Sequence, residues 1–125
     1  MTAHFNHTII ASLDPATMAA FYTDLLEATP APSWGVFTNL QIGDGVLLQF
    51  AGPPPHEISP QHYAYLLDED HFDRAYMKLV DRQHEHWADP QQTRRSEINY
   101  EHDGRGVYLL DPSGHYLELI TRPYL

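Results

Sequence analysis

Two histidines and a glutamate stand where strand periodicity can bring them onto inward faces: His7 in "HFNHTII", His62 in "QHYAYLL" and Glu118 in "YLELI". Two imidazoles and one carboxylate that leave coordination positions open suit non-haem Fe(II), and also Mn(II), Ni(II), Co(II) or Zn(II). Glu118 is the most telling of the three because it interrupts an apolar strand. Alternation puts Tyr116, Glu118 and Ile120 on one face and Leu117 and Leu119 on the other. The leucine face asks for a core. The glutamate face asks for water or a partner, and a lone strand glutamate is ordinarily solvated. A cation is the partner that the two histidines suggest.

The elements that must position these residues repeat along the chain. A strand is expected over residues 4–10. Asp14 and Pro15 supply an N-cap and a first-turn proline, and Met18, Phe21, Tyr22, Leu25 and Leu26 recur at helical spacing. After the breaker-rich "ATPAPSWG", strands over 36–42 and 46–50 flank a Gly43-Asp44-Gly45 hairpin turn. The proline-rich "AGPPPHEIS" reads as a connector. The pattern then restarts. A strand over 61–67 precedes a helix opened by Asp68 to Asp70, with Phe72, Tyr76, Leu79 and Val80 along one side. A short strand and loop occupy 87–99. A hairpin closes the half, strands 107–110 and 116–120 joined by Asp111-Pro112-Ser113-Gly114, which fits a type I turn.

Each half therefore reads as βαβββ. His7 and His62 fall at the same place in the two first strands, and Gln49 and Glu118 at the same place in the two last strands. The second half is longer, with the extra residues expected between Trp87 and Asp103; loops of that length are often functional. The fold class is α+β: two βαβββ modules, about 3–51 and 59–122 with a linker over 52–58, forming one curved mixed sheet around a metal-binding cup, helices outside. In that arrangement His7, His62 and Glu118 converge among otherwise apolar walls.

Further candidates surround the triad. Gln49 faces the cup as a substrate contact and not a ligand, because a neutral amide oxygen is the weaker donor for a hard cation. Tyr108 and Tyr116 are pocket candidates, Tyr108 as an acid or base. Tyr63 and Tyr65 alternate away from His62 and go to the core. His102, in the long loop, is a proton-donor candidate, and Arg94, with Arg95 beside it, a guide for an anionic substrate. His4, His56, His71, His84, His86 and His115 read as solvated.

Composition sets limits. A chain of 125 residues fits one domain, and a net charge of −10 disfavours nucleic acid and anionic lipid as partners. No apolar run reaches the roughly 18 residues of a membrane span. The start "MTAHFNHTII" lacks a secretory pattern, and with no cysteine there is neither disulfide nor thiolate site. A cytoplasmic protein is expected. Open sheet edges invite a second copy, so a homodimer is expected too.

"NHTIIASLDPATMAAFYTDLL", "QHYAYLLDEDHFD" and "GRGVYLLDPSGHYLELI" carry a resemblance that covers nearly the whole chain. The sequence resembles the vicinal oxygen chelate superfamily, which includes glyoxalase I, extradiol dioxygenases, bleomycin-resistance proteins and fosfomycin-resistance thiol transferases. The resemblance implies paired βαβββ modules around a divalent metal, with ligands at His7, His62 and Glu118. It also implies a dimer. Glyoxalase I carries a fourth ligand, a glutamate, where this chain has Gln49. Bleomycin-binding members lack the metal residues. The fosfomycin enzymes place a threonine two residues beyond the first histidine, where this chain has Ile9, and their cation-binding loop has no clear match here. The set therefore implies an extradiol-type dioxygenase, with Fe(II) favoured, acting on a small substrate with vicinal oxygens. A glyoxalase-like lyase or isomerase, a thiol transferase and a small-molecule-binding resistance protein are the alternatives.

Overall fold

Asp14 opens the first helix as its sequence requires: in the computed structural model its carboxylate accepts from the Ala16 N–H at 3.2 Å and from the Thr17 hydroxyl at 2.6 Å. The structure describes residues 2–53 and 55–125; Pro54, inside the expected connector, lies outside them. Helix α1 (Pro15–Leu26) buries Met18, Tyr22, Leu25 and Leu26. It ends at Glu27, which takes the left-handed conformation usual just past a helix. Asp68 caps α2 (Glu69–Asp81) in the same manner, accepting from the His71 N–H at 2.7 Å. On α2 the buried stripe is Phe72, Ala75 and Leu79. Val80, expected on that stripe, is half exposed, since it follows Leu79 and so lies about 100° further round the helix.

The chain divides into two compact units, Met1–Ser59 and Pro60–Leu125. The first holds β1 (His7–Ala11), α1, β2 (Thr29–Pro30), β3 (Thr38–Ile42) and β4 (Val46–Ala51). The second holds β5 (His62–Leu66), α2, β6 (His86–Trp87), β7 (Gly106–Leu110) and β8 (Tyr116–Ile120). Each unit is therefore a βαβββ module with its own four-stranded mixed sheet, ordered β1-β4-β3-β2 in one and β5-β8-β7-β6 in the other. Strand β2 has only two exposed residues, one a proline, and leaves no periodic trace in the sequence.

The first and last strands of each module lie side by side and parallel. Their registers match: His7 pairs with Leu47 and Ile9 with Gln49 in the first unit, His62 with Tyr116 and Ala64 with Glu118 in the second. In both, the polar residue of the last strand sits two positions along from the histidine. The repeat read from the sequence is thus a repeat of register.

Alternation sorts the β8 side chains as expected, with Leu117 and Leu119 fully buried. The Asp111 turn closes with a Gly114 N–H to Asp111 carbonyl bond of 3.0 Å, while the Asp111 carboxylate accepts from the Ser113 and His115 N–H groups. In the first unit Phe50 packs on Tyr22 of α1, their ring centroids 4.9 Å apart.

The extra length of the second unit lies between β6 and β7, over residues 88–105, and it is well ordered by hydrogen bonds. Asp89 accepts from the Thr93 N–H and hydroxyl and from the Arg94 N–H. The Asn99 side chain donates to the Ala88 carbonyl at 2.8 Å, and its backbone pairs both ways with Gly106. Arg105 then ties this connection to α2, bonding Glu69 and Asp73 and lying over the Phe72 ring. No helix among the described residues is long and apolar enough to cross a membrane.

Candidate metal and substrate site

The register of the second sheet sets Trp87, Tyr108, Glu118 and Ala64 in one row across β6, β7, β8 and β5. Cross-strand neighbours share a face, so two aromatic rings and a carboxylate line up, with the smallest side chain beside the carboxylate. Above this row is a cavity of about 450 Å³ lined by His62, Trp87, Pro90, Gln92, Tyr108, Leu109, Tyr116, Glu118 and Tyr124.

Glu118 is only 3% exposed, so its two oxygens must find partners within the protein. Oε1 lies 3.2 Å from His62 Nε2. Oε2 accepts a short hydrogen bond from the Tyr124 hydroxyl. His62 Nδ1 is 3.2 Å from the Tyr116 carbonyl. A carbonyl only accepts, so Nδ1 carries the proton and Nε2 meets the carboxylate. In that tautomer the Nε2 lone pair and the carboxylate oxygen face one another as a pair of donors for a cation. The chemistry of this donor pair fits a divalent metal. Among the described residues of the second unit, no third His, Cys, Asp or Glu joins the pair.

The phenols around Glu118 are proton donors. Burial, the hydrogen bond with Tyr124 and the Glu118 charge hold the Tyr108 phenol far above the ordinary tyrosine range. The hydrogen bond to Glu118, then burial, raises Tyr124. Tyr108 also stacks on the His62 imidazole, centroids 6.2 Å apart and planes at 22°. It therefore orients His62, its hydroxyl is engaged by Tyr124 and Glu118, and it is poorly suited to act as a base.

The remaining candidates fall in several places. Tyr116 lines the cavity. His102 does not; it stacks on Tyr124, ring centroids 4.0 Å apart, and lines an adjoining cleft with Arg105 and Arg122. Arg94 stands apart from the cavity lining, its charge near Asp89. His7 is exposed on β1, with Nδ1 at 2.7 Å from the Asn6 side-chain oxygen; an amide oxygen accepts, so Nδ1 donates and Nε2 keeps its lone pair. Gln49 is buried on β4 of the first unit, flanked by Ile9 and Asn39. Tyr63 and Tyr65 are half-buried, Tyr63 edge-on to His115.

Two of the histidines expected to be solvated are buried instead. His115 has no exposed surface and accepts from the Gln61 N–H at 3.0 Å, linking the turn to the start of β5. His86 bonds the His84 carbonyl and the Tyr76 hydroxyl. Both are polar links inside the second unit.

Trp87, Pro90, Gln92 and Tyr124 were not identified from sequence. A signal for the first existed: five turn residues pair Leu110 with Tyr116, which sets Tyr108 against Glu118 and then Trp87 against Tyr108. Gln92 and Tyr124 lie in irregular segments where no period points.

Comparison with known proteins agrees with this architecture. Residues 4–119 match the family model of the Glyoxalase/Bleomycin resistance protein/Dioxygenase superfamily, and the chain belongs to that superfamily. It is 30% identical over 124 residues to a glutathione transferase, FosA, of Serratia marcescens, covering 95% of this chain and 81% of the relative. Among solved structures it is similar to the oxidase ChaP-H2, with 42% identity, a TM-score of 0.93, and 99% of this chain and 97% of that one covered. The oxidase ChaP-H1 is similar too, at 42% identity and a TM-score of 0.90 over 98% of both chains.

Proposed function

We propose that this chain is a divalent-metal enzyme whose ligands are His7, His62 and Glu118, and that it is an extradiol-type dioxygenase using Fe(II). The observation that carries the reading is the meeting of His62 Nε2 and the buried Glu118 Oε1 at 3.2 Å beside an aromatic cavity. His7 presents the same free Nε2 from the matching position of the other module. It completes the set either within one chain or from a second copy of a homodimer, since β1 and β5 are both sheet-edge strands with their histidines exposed.

The cation, when bound, supplies Lewis acidity to a substrate with two adjacent oxygens and, as iron, the electrons of dioxygen chemistry. The chain does the rest. Trp87, Tyr108 and Tyr116 offer ring faces and edges to a flat substrate. The Tyr116 carbonyl holds the His62 tautomer. Tyr108, kept protonated by burial and by its bonds to Tyr124 and Glu118, does not remove a proton from substrate. The aromatic walls exclude water from the Glu118 side.

Similarity to two proteins called oxidases supports an oxidative reaction. Anaerobic loading with Fe(II), then oxygen-electrode measurement with catechol and substituted catechols, tests it. Oxygen uptake matched by ring cleavage is the expected result. Iron-loaded protein that binds catechol and consumes no oxygen overturns the assignment. The similarity to a glutathione transferase favours a second reading, thiol transfer to a small electrophile. Glutathione consumption with fosfomycin, in place of oxygen uptake, would select it.

A further inference from the structure

Glu118 is held unequally at its two oxygens. Oε1 lies beside His62 Nε2, whereas Oε2 is taken by the Tyr124 hydroxyl. Burial prevents the carboxylate from turning to water instead. Tyr124 is itself braced. Its ring stacks on His102 at 4.0 Å with the planes at 18°. His102 adopts a left-handed backbone, φ 55°, which an L residue holds only when its surroundings impose it. The loop reaches that position because Gly104 presses on the chain after β8: a Cβ there would lie 2.7 Å from both Thr121 Oγ1 and Arg122 Cγ. The Arg105 N–H donates to the same Thr121 hydroxyl at 2.8 Å.

We propose that Tyr124 is a positioning residue that occupies Oε2 of Glu118, so that the carboxylate binds a cation through Oε1 alone, on the side that faces His62. The inference rests on the metal reading above and goes beyond it, to which ions the site accepts. A one-oxygen carboxylate beside imidazole suits Mn(II), Fe(II) or Zn(II). It disfavours Ca(II), which takes six to eight oxygens and commonly both oxygens of a carboxylate. The outer hydrogen bond also fixes the ligand's direction, as carboxylate and imidazole partners do at other metal centres.

Tyr124→Phe tests this, because it keeps the ring on His102 and removes only the hydroxyl. Mn(II) and Ca(II) are titrated into the full chain, wild type and variant. The Mn(II)-loaded minus metal-free infrared difference spectrum then reports whether the carboxylate binds through one oxygen or two. The variant should bind Mn(II) about tenfold more weakly, the lower end for loss of an outer-shell partner. Its preference for Mn(II) over Ca(II) should narrow, and the splitting of its carboxylate stretches should shrink toward the two-oxygen pattern. A merely structural role would move the urea midpoint and leave the splitting alone. If wild type binds Mn(II), and Tyr124→Phe shows the same affinity ratio and splitting, this inference fails and the metal reading stands. If wild type binds no Mn(II), both fail.

Discussion

Gly106→Ala would force a methyl group against the side chain that organises the cavity loop. A Cβ at Gly106 lies 2.9 Å from both Asn99 Nδ2 and Oδ1 and 3.2 Å from its Cγ. The Asn99 amide must therefore retreat by several tenths of an ångström. It has little freedom to do so, being buried, bonded to the Ala88 carbonyl at 2.8 Å and accepting from the Glu101 N–H at 3.2 Å. Overpacking of this kind costs about 1–3 kcal/mol, and each weakened hydrogen bond adds about 1 kcal/mol. Together they come to about 3–5 kcal/mol, or a fall in Tm of roughly 15 °C for a domain of this size. Urea titration of the single variants Gly106→Ala and Asn99→Ala and of the double variant gives the answer. In the Asn99→Ala background the clash is gone, so the second substitution should cost less than about 1 kcal/mol, and the two changes should couple strongly. Equal costs in both backgrounds, or a Gly106→Ala protein as stable as wild type, would refute the packing argument.

Two further outcomes follow from the same loop. The Thr93 hydroxyl, followed by the Arg94 N–H, holds the Asp89 carboxyl below its ordinary value of 3.8. A depressed folded-state value adds stability above the ordinary value, and that stability is lost as pH falls through the folded one. The advantage of wild type over Asp89→Asn in urea midpoint should be full at pH 7, decline below about pH 4 and vanish in stronger acid. Gln92 lines the cavity with φ 61°, a conformation that suits glycine. Gln92→Gly should stay within about 0.5 kcal/mol of wild type in stability while changing catechol affinity; a large stability loss would mean that its side chain supports the fold.

What the sequence makes legible here is what local chemistry fixes. The Asp14 and Asp68 caps and the Asp111-Pro112-Ser113-Gly114 turn are written in a few adjacent residues, and the structure places all three as read. Glu118 is legible as an anomaly because a carboxylate on an apolar strand conflicts with alternation. The match of His7 to His62, and of Gln49 to Glu118, is legible because both modules keep one register. Burial that depends on a distant hydrogen bond is not legible. His115 is buried because the Gln61 N–H needs an acceptor, and those residues are far apart in sequence. Tyr124 shows the same limit. Nothing in its neighbours marks it, and its role comes from a loop that folds back through Gly104.

The central claim is a divalent cation held by His62 and Glu118 with His7. Equilibrium dialysis of purified protein against Mn(II), with metal measured by atomic emission, tests it directly. Wild type should retain one ion per chain. His7→Ala, His62→Ala and Glu118→Gln should each lose most of it while keeping a wild-type circular dichroism spectrum, because His7 and His62 are exposed and Glu118→Gln keeps the size of the side chain. Full metal occupancy in Glu118→Gln, or none in wild type, would contradict the account.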